Sequence, residues 1–438
     1  MRLGIIGAGP GGYTAALVGA SKGLECILFE KNDIGGTCLN RGCIPTKALL
    51  ASAHVIDKIK KAKSYGIEIS DFNFNIDKIN ERKNNIVTTL RTNLENLITK
   101  KKIRIIKEQA KIKDPKTIIA GDEEIKCDSI IIATGSEPLE IWKDKSVINS
   151  TEALNLKEIP NSMLIVGAGA VGLEFACFFS SMGTKVTVVE AADHILPTMD
   201  KEITDTLTRE LKKRGIKIKV KCKTEKIENG KATFSDGKEE TFDKILSAIG
   251  RKYNNTNLGI ENTNIKLERG RIIVHDSMET DETGIYAIGD IAYGYPLLAH
   301  VASYQAITAI KNICGEKCSF EGNIIPACIF TSPEVASVGL NEYSKENLQS
   351  IKLPIRVLGR AHAEGEIAGM IKAITEDGKI KGIHIIGERA SDLIAEGAVL
   401  AKYNSDVSEI SEVIHAHPTF AEIYAELFHL GAGMPIHG

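Results

Sequence analysis

The sequence predicts an α/β protein built on two copies of one strand–turn–helix–strand unit. The second copy is inserted in the first, and a separate α+β domain follows at the C-terminus. Three observations predict this. The stretches "LGIIGAGPGGYTAALVGASKGLECILFE" from Leu3 and "MLIVGAGAVGLEFACFFSSMGTKVTVVE" from Met163 share one plan: apolar run, glycine turn, helical segment, second apolar run. Apolar runs closing in small residues and glycine follow each copy ("IIIATG", Ile130 to Gly135, and "ILSAIG", Ile245 to Gly250). A third such run, "IYAIGD" (Ile285 to Asp290), comes only after the second copy, so the second unit interrupts the first. Finally, "KAITEDGKIKGIHIIG" reads as two short strands around Asp377-Gly378, a hairpin signal, with helical segments such as "SDLIAEGAVLAKYN" behind it.

The glycines of the first copy are Gly7, Gly9 and Gly12, and its second run ends at Glu30. Those of the second are Gly167, Gly169 and Gly172, ending at Glu190. The offset from first glycine to acid is 23 in both (30 − 7 and 190 − 167). Such a duplicated, strand-flanked G-x-G-x-x-G with its acid in register predicts two Rossmann-like dinucleotide-binding domains. The first glycine permits the tight turn, the second lets backbone approach a pyrophosphate, and the third lets helix and strand pack closely. The helix N-terminus then offers free N–H groups and a positive dipole end. Glu30 and Glu190 are placed to accept hydrogen bonds from ribose hydroxyls. A carboxylate at Glu190 repels a 2′-phosphate, and the "AADHILPTMD" after it holds no arginine to receive one, which favours NAD over NADP at the second unit. Asp290, at the end of the third run, suits the polyol or phosphate-proximal groups of a bound dinucleotide.

Composition narrows the class further. A chain of 438 residues has room for two to four domains, and a net charge of −2 with 26% charged residues provides no long-range field for nucleic acid or an anionic membrane. No run of 18 apolar residues indicates a transmembrane helix, and "RLGIIGAG" already reads as strand and turn from Arg2. The nine cysteines are an odd count spread along the chain, unlike a secreted disulfide framework. The expectation is a soluble, cytoplasmic protein, with Cys26, Cys127, Cys177, Cys222 and Cys328 as small buried hydrophobes. Cys314 and Cys318 bracket "GEK" where Gly315 ends a helix, and read as incidental.

"GGTCLNRGCIPTK" (Gly35 to Lys47) sets Cys38 and Cys43 five positions apart. A zinc clip would need two further ligands at matching spacing, and none is near. A structural cystine fits poorly in a chain with no export signal, which leaves a redox pair. In straight helix, Cα atoms five apart lie about 8–9 Å from each other, whereas a disulfide needs less than about 7 Å. The segment therefore cannot be unbroken helix if the cysteines bond, and Gly42 and Pro45 both disfavour one. A helix from about Thr46 would point its N-terminus at the sulfurs and favour thiolate.

The segment resembles the active-site signature of the class I pyridine nucleotide–disulfide oxidoreductases, and "NRGCIPTK" is most similar to their dihydrolipoamide dehydrogenase branch. The likeness covers nearly the whole chain through both glycine motifs, "ATGSEP", "AIGR", "IYAIGD", "LLAH", "FTSPEVASVG" and "HAHPTFAE". It implies FAD in the first unit, NAD in the second, and a homodimer. It further implies a partner bearing a lipoyl group, from a 2-oxo acid dehydrogenase or glycine cleavage system. Carried over residue by residue, Cys38 matches the thiol that exchanges with substrate and Cys43 the one facing the flavin. Lys47 and Glu174 match a pair beside the flavin. Thr37, Ala110, Thr134, Gly135, Gly250 and Ala299 fall at further cofactor positions. His417 matches the base of the HPT triplet and Glu422 the acid that orients it; His415 is without assignment. Thr419-x-x-Glu422 is also capping-box spacing, under which Glu422 would serve only the helix start. After "LLAH" the segment Val301 to Gln305 departs from the acid-rich helix start of that family.

The resemblance implies an FAD-binding domain over 1–147, an NAD-binding domain over 148–252, a second part of the FAD-binding and central region over 253–322, and a C-terminal dimerisation domain over 323–438. The implied reaction is oxidation of dihydrolipoyl groups with reduction of NAD+. The alternative is a related reductase of a small disulfide such as glutathione, a group that prefers NADP. Relatives with an added C-terminal redox group fit less well, because the last cysteine is Cys328.

Overall fold

The computed structural model describes residues 1–437. Strand Arg2–Ile6 lies at the centre of a five-stranded parallel sheet, with Glu25–Phe29 and Arg104–Ile106 on one side and Ser129–Ile132 and Ile285–Ala287 on the other. These strands read as near-continuous Ile and Leu because both faces are covered: Leu3, Ile5, Leu28 and Ile131 are fully buried under helices, and Ile6, Ile27, Ile130 and Ile132 pack on the antiparallel strands Ala110–Asp114, Thr117–Ala120 and Glu123–Lys126. Helix α1 (Pro10–Ser21) connects the first two strands. Helices α2 (Gly36–Arg41), α3 (Cys43–Lys61) and α4 (Ile76–Lys100) follow.

The short α5 (Ser150–Ala153) follows the edge strand of a second parallel sheet, whose order is Lys217–Lys219, Lys185–Val189, Ser162–Val166, Lys244–Ser247, Val147–Ile148. Helix α6 (Ala170–Ser181) repeats the position of α1, and α7 (Lys201–Lys213) follows. Ile285–Ala287 then returns to the first sheet beside Ser129–Ile132, as the order of the three apolar runs predicts. The chain crosses between the sheets on an antiparallel pair, Ser136–Pro138 against Arg251–Tyr253. The crossing is clasped by side chains: the Thr134 hydroxyl donates to Asn254 O at 2.8 Å, and Asn254 Nδ2 donates to Thr134 O at 2.9 Å.

Helix α8 (Ala299–Ile313) packs on α1. Beyond it, an antiparallel five-stranded sheet runs in the order Ala327–Ile329, Glu334–Gly339, Lys379–Gly387, Met370–Glu376, Gln349–Pro354. The predicted hairpin is its central pair. Asp377 (φ 51°) and Gly378 (φ 73°) both take positive φ, the turn that matches strand twist. The strands are longer than expected, seven and nine residues, because the core of this sheet extends along both. Helices Ala390–Lys402 and Glu422–Gly431 cover it.

Of the cysteines expected in cores, Cys26, Cys127, Cys177 and Cys222 are buried, while Cys328 is half-buried. Among the described residues no helix is long and apolar enough to cross a membrane.

Candidate active site

The two glycine loops are near-identical. Gly7 and Gly167 each have φ 103°, and a Cβ on either would stand 2.4 Å from a backbone oxygen, Ala133 O or Ala248 O. A Cβ on Gly12 would fall 1.8 Å from Gly7 O, and one on Gly172 2.1 Å from Gly167 O. These four glycines are required by the chain itself. Gly9 and Gly169 are not: both are extended, nothing lies within 4 Å of a Cβ on Gly169, and the nearest atom to one on Gly9 is 3.9 Å away. Their open side, at the N-termini of α1 and α6 that no side chain caps, fits the pyrophosphate of a dinucleotide. The acids also match. Glu30 accepts from Ala8 N at 2.8 Å and Asn32 N at 2.9 Å, and Glu190 from Ala168 N and Ala192 N, both at 2.8 Å. Each carboxylate is thereby held at the rim of its loop with acceptor capacity remaining.

This division carries a prediction. Gly172→Ala forces the loop apart and should cost about 1–3 kcal/mol of stability. Gly169→Ala should leave the unfolding midpoint in place while raising KM for NAD+. Equal loss of stability in both variants, measured by thermal unfolding, would remove the distinction.

Gly35 (φ 99°) and Gly36 (φ 59°) bring the cysteine segment onto the first loop: Gly35 N donates to Ala8 O at 2.8 Å, and a Cβ on Gly36 would stand 2.6 Å from Gly9 Cα. The helix then breaks at Gly42 (φ −143°, ψ −111°), between Cys38 in α2 and Cys43, the first residue of α3. The break is at the glycine alone, and α3 starts three residues earlier than expected. Pro45 sits in its first turn, where the missing N–H is not needed. Thr46 closes the turn from its hydroxyl to Gly42 O at 2.7 Å.

The structure holds the pair as two thiols, Cys38 half-buried and Cys43 exposed. A hydrogen bond from the Cys38 thiol, then the charge of Lys47, draw Cys43 down to about 7, whereas the same bond and burial push Cys38 well up. Of the two, Cys43 is the thiol that gives up its proton more readily. Thiolate, the nucleophilic form, grows with pH through the pKa. Alkylation of Cys43 in the reduced protein should therefore rise with a midpoint near pH 7, followed by mass spectrometry with iodoacetamide. A midpoint near the ordinary thiol value of 9.0 would contradict the arrangement.

One turn beyond Cys43, Lys47 Nζ donates to both oxygens of Glu174 at 2.9 and 2.8 Å. Glu174 is buried on α6 and also accepts from Phe330 N at 3.1 Å; Lys47 Nζ lies 4.2 Å from the centre of the Phe330 ring. The first unit, the second unit and the C-terminal sheet meet in this cluster. Phe330 was not singled out from sequence, although it opens "FTSPEVASVG".

The remaining predicted cofactor positions spread around the first loop and the crossing strands. The Thr37 hydroxyl faces Ser136 O at 3.5 Å. Ala110 is buried at the start of strand Ala110–Asp114, and Gly135 and Gly250 take positive φ beside the crossing. Ala299 is the first residue of α8, and Gln305, fully buried on that helix, accepts from Gly289 N at 2.7 Å. Asp290 accepts from the Ser136 hydroxyl, which Arg251 also touches. Arg251 carried no assignment from sequence, although it directly follows "AIG".

At the far end of the chain, His417 Nδ1 bonds Glu422 Oε1 at 2.7 Å, and the His417 side chain is 76% exposed. The other oxygen of Glu422 accepts from Thr419 N at 2.6 Å, while the Thr419 hydroxyl turns back to Ala416 O. The capping box is therefore only half formed, and Glu422 serves both the turn and the histidine. Burial raises the Glu422 carboxyl, but the Thr419 N–H and His417 outweigh it and hold it below its usual range. His415 is bonded to Glu396 at 3.0 Å and to Val413 O at 3.1 Å. Among the described residues no hydrogen bond or ion pair joins His417 to Cys38 or Cys43.

A family model described as pyridine nucleotide-disulphide oxidoreductase matches residues 1–306, and one described as the dimerisation domain of that family matches residues 325–428. Dihydrolipoyl dehydrogenase of Chlamydia pneumoniae is 39% identical over 450 residues, spanning 99% of this chain and 97% of that protein. Dihydrolipoyl dehydrogenase of Bacillus subtilis is 37% identical over 469 residues, spanning 99% and 98%. The crystal structure of LpdA from Mycobacterium tuberculosis superposes with a TM-score of 0.91 at 25% identity, over 98% of this chain and 99% of that one. The HOCl-induced flavoprotein disulfide reductase RclA from Escherichia coli superposes with a TM-score of 0.89 at 27% identity, over 98% and 100%. With matched models over most of its length and a cysteine pair set against its first glycine loop, the chain belongs to the pyridine nucleotide-disulphide oxidoreductase family.

Proposed function

We propose that the chain is an NAD-linked dihydrolipoyl dehydrogenase that works through a Cys38–Cys43 disulfide and bound FAD. The observation that carries this reading is the Cys38–Cys43 pair on either side of the helix break at Gly42, one helical turn from the Lys47–Glu174 pair. FAD would be held at Gly7, Gly9, Gly12, Glu30, Thr37 and Asp290, and would supply the acceptor for the electron pair of the Cys43 thiolate and the hydride for NAD+, which Gly167, Gly169, Gly172 and Glu190 would hold.

In the oxidised protein, His417 takes the proton of one dihydrolipoyl thiol, and the resulting thiolate attacks Cys38 Sγ. The S–S bond breaks and Cys43 leaves as thiolate, which Lys47 and the N-terminus of α3 stabilise. The second substrate thiol then displaces Cys38 and closes the lipoyl disulfide, its proton passing to the departing Cys38, which holds it beside Cys43. Glu422 fixes the His417 ring so that its other nitrogen receives the proton. The net change is dihydrolipoyl plus NAD+ to lipoyl plus NADH and H+. Because His417 stands exposed and apart from the cysteines, the reading requires a homodimer in which the partner's His417 serves Cys38. The domain division proposed is 1–147 with 253–322 for FAD, 148–252 for NAD and 323–438 for dimerisation, and the substrate is a lipoyl-bearing protein of a 2-oxo acid dehydrogenase or glycine cleavage system.

The test is a steady-state assay of the purified protein with dihydrolipoamide and NAD+ or NADP+, beside oxidised glutathione and NADPH. NADH formation from dihydrolipoamide is expected. An inert dihydrolipoamide with active glutathione would replace the substrate while retaining the fold.

A further inference from the structure

Arg251 stands on the strand that leaves the second unit, yet its guanidinium points into the first. Its Nε donates to the Ser136 hydroxyl at 2.6 Å and its Nη2 to Ser136 O at 2.6 Å. The Ser136 hydroxyl in turn donates to Asp290 Oδ2, and the direct Arg251 Nε to Asp290 Oδ2 separation, 3.8 Å, is too long for a hydrogen bond. The polarity of this chain is determined by chemistry. A guanidinium can only donate, so Ser136 must accept from it, and the single hydroxyl proton has Asp290 as its acceptor. Ser136 is buried and has no second proton to offer elsewhere. Asp290 Oδ2 is therefore occupied, and among the described residues Oδ1 has no hydrogen-bond partner.

We propose that Arg251 is a positioning residue for the flavin cofactor, acting through Ser136 to hold Asp290 with Oδ1 free to accept from a hydroxyl of the cofactor's polyol chain. The inference rests on the FAD reading above and adds to it a residue contributed from outside the FAD unit. The planar fork matters, because occupying both Ser136 oxygens fixes the serine rotamer as well as its proton, which a single ammonium cannot do. Burial draws the Arg251 guanidinium down, and Asp290, then Cys43, offset only part of this, so the same cation lies within the field of the redox pair.

The experiment follows release of FAD from the holoprotein by the rise in flavin fluorescence, for wild type, Ser136→Ala, Arg251→Met and the double variant. A relay predicts that each single change speeds release about tenfold, the worth of a hydrogen bond to a charged group, and that the double variant is no faster than Ser136→Ala alone. Multiplied effects in the double variant would mean that Arg251 does not act through Ser136, and unchanged release in Arg251→Met would mean that it does not position the cofactor. Either overturns the proposal while the flavin reading stands. A wild-type protein purified without flavin would instead remove the cofactor reading itself, and this inference with it.

Discussion

Cys43→Ser should abolish NADH formation from dihydrolipoamide, by about 10⁴-fold or more, comparable to removing one member of a group that acts as a unit. Serine can neither form the disulfide with Cys38 nor carry negative charge near neutral pH, so both the electron store and the thiolate beside Lys47 vanish together. The glycine loops and their acids do not involve Cys43, so the variant should still purify with flavin and pass electrons from NADH to an artificial acceptor. That contrast makes the test sharp. If dihydrolipoamide oxidation survived in Cys43→Ser, the redox pair would lie elsewhere. If flavin were lost as well, the defect would be structural and a milder probe, Cys38→Ser, would have to separate them.

The second large effect concerns stability. Lys372, fully buried on strand Met370–Glu376, lies 3.0 Å from Asp200 Oδ2, 2.8 Å from Glu342 and 3.4 Å from Glu202. Asp200 is itself fully buried and caps α7, accepting from Glu202 N and Ile203 N. Lys372 thus ties the C-terminal sheet to the second unit, beside a more exposed pair from Lys352 on the same sheet to Glu202 at 2.7 Å. Burial disfavours that charge, but Glu342 and Asp200 overcome the penalty and raise its pKa. Lys372→Met leaves three carboxylates facing one another, one of them without solvent, and should cost about 3–5 kcal/mol. Adding Asp200→Asn should restore part of the loss, because the amide still caps the helix without a buried charge. A loss under about 0.5 kcal/mol in denaturant unfolding, the level of an ordinary surface change, would show that the cluster contributes little.

Much of the fold was legible because its signals are local. The two glycine loops differ in almost nothing that bears on their geometry, and the reason each glycine is needed (positive φ, contact with the preceding turn, or open approach) follows from spacing alone. The insertion was legible in the order of three apolar runs, and the hairpin in Asp377-Gly378. The need for a break between Cys38 and Cys43 followed from helix dimensions, although its place at Gly42 did not, since Pro45 offered an equal signal and proved compatible with a first turn.

Other features depend on contacts between residues far apart in the chain. Lys47 and Glu174 are 127 positions apart, Ser136 and Asp290 154, and Lys372 and Asp200 172. Nothing in the neighbourhood of Arg251 says that it would cross to the other unit, and nothing around Glu174 says that Phe330 would share it. His417 and Glu422 pair over five residues, within reach of a sequence argument, but the distance of that pair from the cysteines depends on how the C-terminal sheet docks.

By itself, then, the sequence determined the paired dinucleotide-binding units, the acid at each rim, and a redox-capable cysteine pair beside the first of them. The tertiary structure alone decided which charges meet, which charge stands beside the cysteine pair, and which face of the chain carries His417. The physical reason is range. Backbone conformation and helix or strand periodicity are set within a few residues, whereas the partner of a buried charge is chosen by whatever the packed core brings within about 3 Å of it.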